Sequence, residues 1–109
     1  MVTNRKYANN MTPSNLIHPG EMIMDEIMAR GITQKKLAQQ MGVSYTVFNE
    51  ILNGRRPVTT EYPMLLEAVL GTDATIWLRL QADYNMQKIR QDKSFMKRLE
   101  NIRRIAAVF

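Results

Sequence analysis

Residues 33–56 read TQKKLAQQMGVSYTVFNEILNGRR, and the order of their apolar, small and polar positions decides the fold. Thr33 carries a hydroxyl suited to capping a helix, and a polar-to-apolar run follows it. Leu37, Ala38 and Met41 recur at helical spacing and give that helix one buried face. Gly42 stands where the helix must end, a position that favours a left-handed backbone and disfavours a Cβ. Val43 can plug the corner, and Ser44 can cap a second helix. That helix buries Val47 or Phe48 with Ile51 and Leu52, and stops before Asn53 and Gly54. Two short helices around a glycine turn with apolar plugs make a helix-turn-helix pattern. In such a pair the second helix is the one that enters a DNA major groove.

An ordinary helical hairpin would share this spacing, so the outward residues carry the functional reading. Ser44, Tyr45, Thr46, Asn49 and Asn53 are short hydrogen-bonding groups where a merely solvated face would carry Glu and Lys. They are the candidate base-reading residues, with Asn suited to adenine and Thr to a thymine methyl. Lys35 and Lys36 on one side, and Arg55 and Arg56 on the other, suit backbone phosphates. Glu50 would repel phosphate, so it is expected to have a structural partner.

Composition sets the limits around this element. The chain has 109 residues, 45% of them apolar, enough for one small domain with a single core. There is no cysteine, which excludes disulfides, thiolate chemistry and a zinc finger. No apolar run reaches the length of a membrane span, and no signal-peptide apolar region opens the chain. These features predict a soluble cytoplasmic protein without a membrane role. The nine Met residues are expected to serve mostly as flexible core filler. Net charge is +5, and it is segmented. Residues 31–60 carry Lys35, Lys36, Arg55 and Arg56 against Glu50 alone. Residues 61–85 are acidic, and the stretch after them is again strongly basic. This suits an anionic partner at two places, although a solvated helix face would account for the tail equally well.

Residues 1–17 are polar and Asn-rich, and read as a flexible N-terminal arm whose Arg5 and Lys6 either touch DNA or a partner or belong to a plain terminus. Residues 18–91 are expected to form the helix-turn-helix DNA-binding domain. Its first helix starts at His18-Pro19-Gly20-Glu21, with Met22, Ile23, Ile27 and Met28 inward and Gly31 at its end. His18 is the sole histidine, so capping or packing fits it better than a metal site. After Pro57, Thr59 or Thr60 can cap a fourth helix with Met64, Leu65, Val69 and Leu70 inward and Gly71 closing it. Thr72 or Asp73 then caps a fifth, from about Ala74 to Gln91, whose Trp77, Leu80 and Tyr84 are candidates for a dimer contact as well as for the core. Residues 92–109 read as a basic amphipathic helix with Phe95, Leu99, Ile102, Ala106 and Phe109 along one stripe. It is expected to pack on the domain or on a second subunit.

Four segments together carry a family resemblance: HPGE at 18–21, TQKKLAQQMGVS at 33–44, FNEILNGRRPVT at 48–59 and GTDATIWLRLQADYNM at 71–86. In this order they resemble the HigA-type antitoxins, a branch of the lambda-repressor-like (Xre) helix-turn-helix family. The resemblance implies an all-α bundle of about five helices, to which the C-terminal amphipathic helix is appended. It implies a homodimer that binds a palindromic operator and represses its own operon, with no cofactor and no catalytic residues. It also implies neutralisation of a HigB-type toxin, a ribosome-dependent mRNA endonuclease of RelE-like fold. The base-reading helix of the family maps onto Ser44, Tyr45, Thr46, Asn49 and Asn53, and Gln34 onto a polar phosphate contact. A stand-alone Xre-type repressor without a toxin is the alternative. An enzyme has little support, with one His, no Cys and no carboxylate pair in a pocket-forming pattern.

Overall fold

The computed structural model describes residues 16–108, which form six α-helices. They are α1 (Pro19–Ala29), α2 (Gln34–Met41), α3 (Tyr45–Leu52), α4 (Glu61–Leu70), α5 (Ala74–Arg90) and α6 (Lys93–Ala106). The N-terminal arm, apart from Leu16 and Ile17, and the stripe's last residue Phe109 lie outside the described residues.

Side-chain caps start most of these helices. Thr33 Oγ1 accepts from the Lys36 amide at 3.2 Å and Ser44 Oγ from the Val47 amide at 3.2 Å. Asp73 Oδ1 accepts from Thr75 at 2.9 Å, and Asp92 Oδ1 from Phe95 at 3.1 Å. Each satisfies an amide that the first turn of a helix leaves without an intrahelical partner. Gly42 has φ +70°, and the bonds Gly42 N–H to Gln39 O and Val43 N–H to Ala38 O close α2 as a Schellman turn. α4 departs from expectation. Thr60 is itself helical and makes no side-chain cap bond, so neither threonine caps as anticipated. Instead the Thr59 carbonyl accepts from the Tyr62 amide, a tight first turn closed by backbone alone.

Leu37, Phe48 and Leu66 are fully enclosed at the centre, with Ile23, Ile27 and Leu52 around them. Burying one such side chain contributes about 1.5–3 kcal/mol, so this cluster holds α1 to α4 together. Several inward assignments are corrected here. Met28, Met64 and Val69 face outward, and Tyr62, Pro63 and Leu66 form the inner face of α4 in place of Met64 and Val69. Among the described residues methionine is only partly core filler: Met41 is buried and Met22 and Met24 pack against the core, whereas Met28, Met64 and Met86 are exposed. Residues of α4 are apolar almost all the way round, so its inner face is chosen by its neighbours and not by periodicity.

α1 crosses α3 at a very short distance. A Cβ on Gly20 would lie 1.9 Å from the Ile51 carbonyl oxygen, so only glycine permits this approach. α6 contains no buried residue; Phe95, Met96 and Leu99 are half-buried beside α5, while Ile102, Ile105 and Val108 are exposed. Among the described residues, no helix is long and apolar enough to cross a membrane.

Candidate nucleic-acid interface

The outward side of α3 carries Tyr45, Thr46 and Asn49, with Ser44 and Asn53 as its two caps. Ser44, Tyr45, Thr46 and Asn53 are exposed and Asn49 is half-buried. The sequence-predicted base-reading set is therefore one solvent-facing row on one helix. Ser44 also spends its oxygen on the cap, which leaves its O–H as a donor.

A chain of side-chain amides crosses from α2 to α3. Asn49 Nδ2 donates to Gln34 Oε1 at 2.8 Å, and Gln34 Nε2 donates to Met24 Sδ at 3.0 Å. Asn53 Nδ2 donates to the Asn49 carbonyl at 2.9 Å and to Asn49 Oδ1 at 3.2 Å. Gln34 thus orients Asn49, a role its assignment to a phosphate did not include. Met24, which sequence reasoning passed over, supports it from α1.

The four cations divide. Lys35, Lys36 and Arg55 are exposed. Arg56 is also exposed, but its Nε donates to Glu50 Oε1 at 2.8 Å. This is the structural partner expected for Glu50, and it cancels part of the charge that Arg56 brings to the row. Such an exposed pair contributes only about 0–1 kcal/mol to stability. Its effect is on position: it folds the exit loop back against α3.

Two further residues fix that loop. Gln81, buried on α5, accepts the Val58 amide at 2.7 Å through Oε1 and donates to Asn85 Oδ1 at 2.9 Å through Nε2. A glutamine spaced four residues from Trp77 on an otherwise apolar stripe was the available signal for it. His18 is the other. Its Nδ1 accepts the Gly20 amide at 2.9 Å, while the Glu21 carboxylate accepts the His18 amide at 3.2 Å, a capping box. The ring packs edge-on against Tyr84 with centroids 4.9 Å apart, and a backbone hydrogen bond ties it to Arg56. The sole histidine is a cap and a packing residue, as its isolation suggested.

Burial holds the His18 pKa below its ordinary 6.5, and Lys88 adds to this, against opposing contributions from Glu21 and the Arg56 backbone hydrogen bond. Protonation would also remove the Nδ1 lone pair that caps α1. The unfolded chain therefore takes up the proton more readily than the folded one. The contribution of His18 is complete above the unfolded value and is lost as pH falls below it. Thermal unfolding from pH 8 to pH 5 is expected to show Tm falling on the acid side of about 6.5, beyond the fall seen in His18→Asn. Parallel curves for the two proteins would contradict this role.

On α5, Trp77 is buried in its own chain and its Nε1 donates to Thr72 Oγ1 at 3.2 Å. Leu80 and Tyr84 are half-buried, and Ile76 is exposed. The exposed apolar side chains of α5 are Ile76, Met86 and Ile89, while Leu80 packs against the core and Tyr84 against His18.

The profile of the family described as Helix-turn-helix matches residues 23–77, from the second turn of α1 to the first turn of α5. The chain belongs to the helix-turn-helix family. Virulence-associated protein I of Dichelobacter nodosus is 35% identical over 78 residues, 71% of this chain and 72% of that protein. Two solved structures are similar as well. One is the Pseudomonas aeruginosa antitoxin HigA with higBA promoter, with TM-score 0.69 and 29% identity, covering 78% of this chain and 91% of that one. The other is an addiction module antidote protein of a HigA family from Coxiella burnetii, with TM-score 0.69 and 28% identity over the same shares of the two chains. The all-α, lambda-repressor-like architecture and the Xre-type helix-turn-helix expected from the sequence are both present. This is a family of DNA-binding proteins and not of enzymes.

Proposed function

We propose that this helix-turn-helix protein is the antitoxin of a toxin–antitoxin pair, binding as a homodimer to a palindromic operator and repressing its own operon. The observation that carries this is the exposed polar row on α3, held by Gln34 and flanked by the exposed Lys35, Lys36 and Arg55. Two copies present their α3 helices to successive major grooves about 34 Å apart. The cations hold register on phosphates while Tyr45, Thr46, Asn49 and Asn53 read base edges. The dimer contact runs along α5 through Ile76 and the exposed part of Leu80, with Trp77 behind them, and leaves Tyr84 to its packing on His18. Its protein partner is a HigB-type toxin, a reading supported by the likeness to a HigA antitoxin and to an addiction module antidote.

Gel shifts with DNA from upstream of the gene test the first half. With at least three phosphate-directed cations per protomer, the logarithm of affinity is expected to fall against the logarithm of salt with slope of about −5 or steeper for a dimer. A slope near zero, or no preference for that DNA over a scrambled duplex, would remove the operator reading. Co-expression with the adjacent reading frame tests the second half: co-purification and relief of growth arrest are expected. A protein that binds the operator but neither captures nor neutralises that product is a stand-alone repressor.

A further inference from the structure

Where α3 ends, its exit loop and α5 enclose an open cleft of about 260 Å³ bordered by His18, Gly54, Arg55, Arg56, Asn85 and Lys88. A water's share of bulk liquid is about 30 Å³, so the cleft admits a phosphate group with part of its hydration shell. Three cations line it and no carboxylate does. The nearest acid on α3, Glu50, is turned to Arg56 Nε, which leaves the two Nη groups of that guanidinium as donors. Burial disfavours a charge on His18, and Lys88 stands close enough to add to that, against the opposing effect of Glu21. The cleft walls are also fixed. Gln81 clamps Val58 and Asn85 together, so the arginine loop and the Lys88 face of α5 keep one separation.

Asn53 belongs to the row facing the bases, and Gly54 and Arg55, the next two residues, line the cleft. Residues of the polar row and residues of the cleft wall are thus consecutive in the chain, which puts the cleft at the edge of that row. The C-terminal end of α3 presents partial negative charge there, which would repel a phosphate unless cations outweigh it. Arg55 is one such cation on the loop. Lys88, on a different helix and thirty-odd residues further on, is the second.

We propose that the cleft between the exit loop and α5 seats a DNA backbone phosphate, with Lys88 and Asn85 closing on it opposite Arg55. This rests on the operator-binding reading above, and extends the phosphate track from the helix-turn-helix onto α5. Lys88 is then a binding residue at a position the helix-turn-helix pattern does not reach. Its contribution is to affinity and register, with no preference among base sequences.

The test compares full-length Lys88→Ala, Arg55→Ala and Lys97→Ala in operator and scrambled-duplex titrations at several salt concentrations. Lys88 is exposed, so its truncation leaves the fold intact. Lys88→Ala is expected to weaken both duplexes alike. It should also make the salt slope shallower by about 0.9 for each protomer bound. Lys97, on α6 away from the cleft, should change neither. An unchanged slope in Lys88→Ala, with Arg55→Ala still weakened, overturns the cleft while the operator reading survives. No operator binding by the parent protein overturns both. Inorganic phosphate titrated into DNA-free protein supplies the remaining arm. Saturable chemical-shift changes at Gly54 and Asn85 that vanish in Lys88→Ala, together with unchanged DNA affinity, would make this a site for a free anion and also overturn the proposal.

Discussion

Gly20→Ala is expected to cost more than about 3 kcal/mol and to leave a large fraction of the chain unfolded at 37 °C. The added methyl would sit 1.9 Å from the Ile51 carbonyl oxygen and 2.9 Å from its carbon. Both are backbone atoms within α3, so no side chain can rotate aside. Relief requires α1 to lift from α3, which opens contacts of Ile23 and Ile27 and strains the capping box at His18. In a domain of this size each kcal/mol moves Tm by about 4–8 °C, so a fall of well over about 10 °C is expected. Gly31→Ala is the control. A Cβ there meets nothing within 4 Å, and only the left-handed φ of +69° opposes it, a cost of about 1–2 kcal/mol. The contrast separates close approach from backbone conformation. A Gly20→Ala protein melting within about 2 °C of the parent would show that the α1–α3 contact yields easily and is not what seats the recognition helix.

How far the sequence discloses this arrangement depends on whether a feature is local. Thr33 and Ser44 are legible as caps, and Asp73 as one of two candidates, because each bonds an amide two or three residues away. Gly42 is legible because the turn it makes is its own backbone property. The inner face of α4 is not, since EYPMLLEAVL is apolar on nearly every side and the positions of α2 and α5 select Tyr62 and Leu66. Met28 fails for the same reason, lying one residue from the buried Ile27 at the rim of α1's apolar arc. In the interface, each polar residue of α3 can be placed by counting from Ser44. What counting cannot supply is the bond from Asn49 to Gln34, fifteen residues earlier, or the clamp from Gln81 to Val58. Arg56 shows a further limit: beside Arg55 in sequence it reads as a second phosphate ligand, and counting does not disclose that Glu50 engages its Nε.

Asn49→Ala is expected to lower operator affinity about thirty-fold or more while leaving scrambled-duplex binding nearly unchanged. One Asn–adenine bidentate pair discriminates by about 1–3 kcal/mol, and a two-fold operator contains the pair twice, giving roughly 2–6 kcal/mol. The amide is prepared for that contact. Gln34 Oε1 takes one hydrogen of its Nδ2, and Asn53 donates to one lone pair of its Oδ1. One donor and one acceptor are left, which is what the adenine edge requires. Holding the amide in place before DNA arrives also removes rotamer entropy from the cost of binding. Gln34→Ala should then reduce operator preference by less than Asn49→Ala, because the reading group remains but turns freely. The double variant should lose little beyond Asn49→Ala alone, a coupling of about 0.5–3 kcal/mol. Strictly additive losses would mean that Gln34 acts on a phosphate and not through Asn49. Equal loss on operator and scrambled DNA in Asn49→Ala would mean that α3 does not read bases with this residue, whatever else it touches.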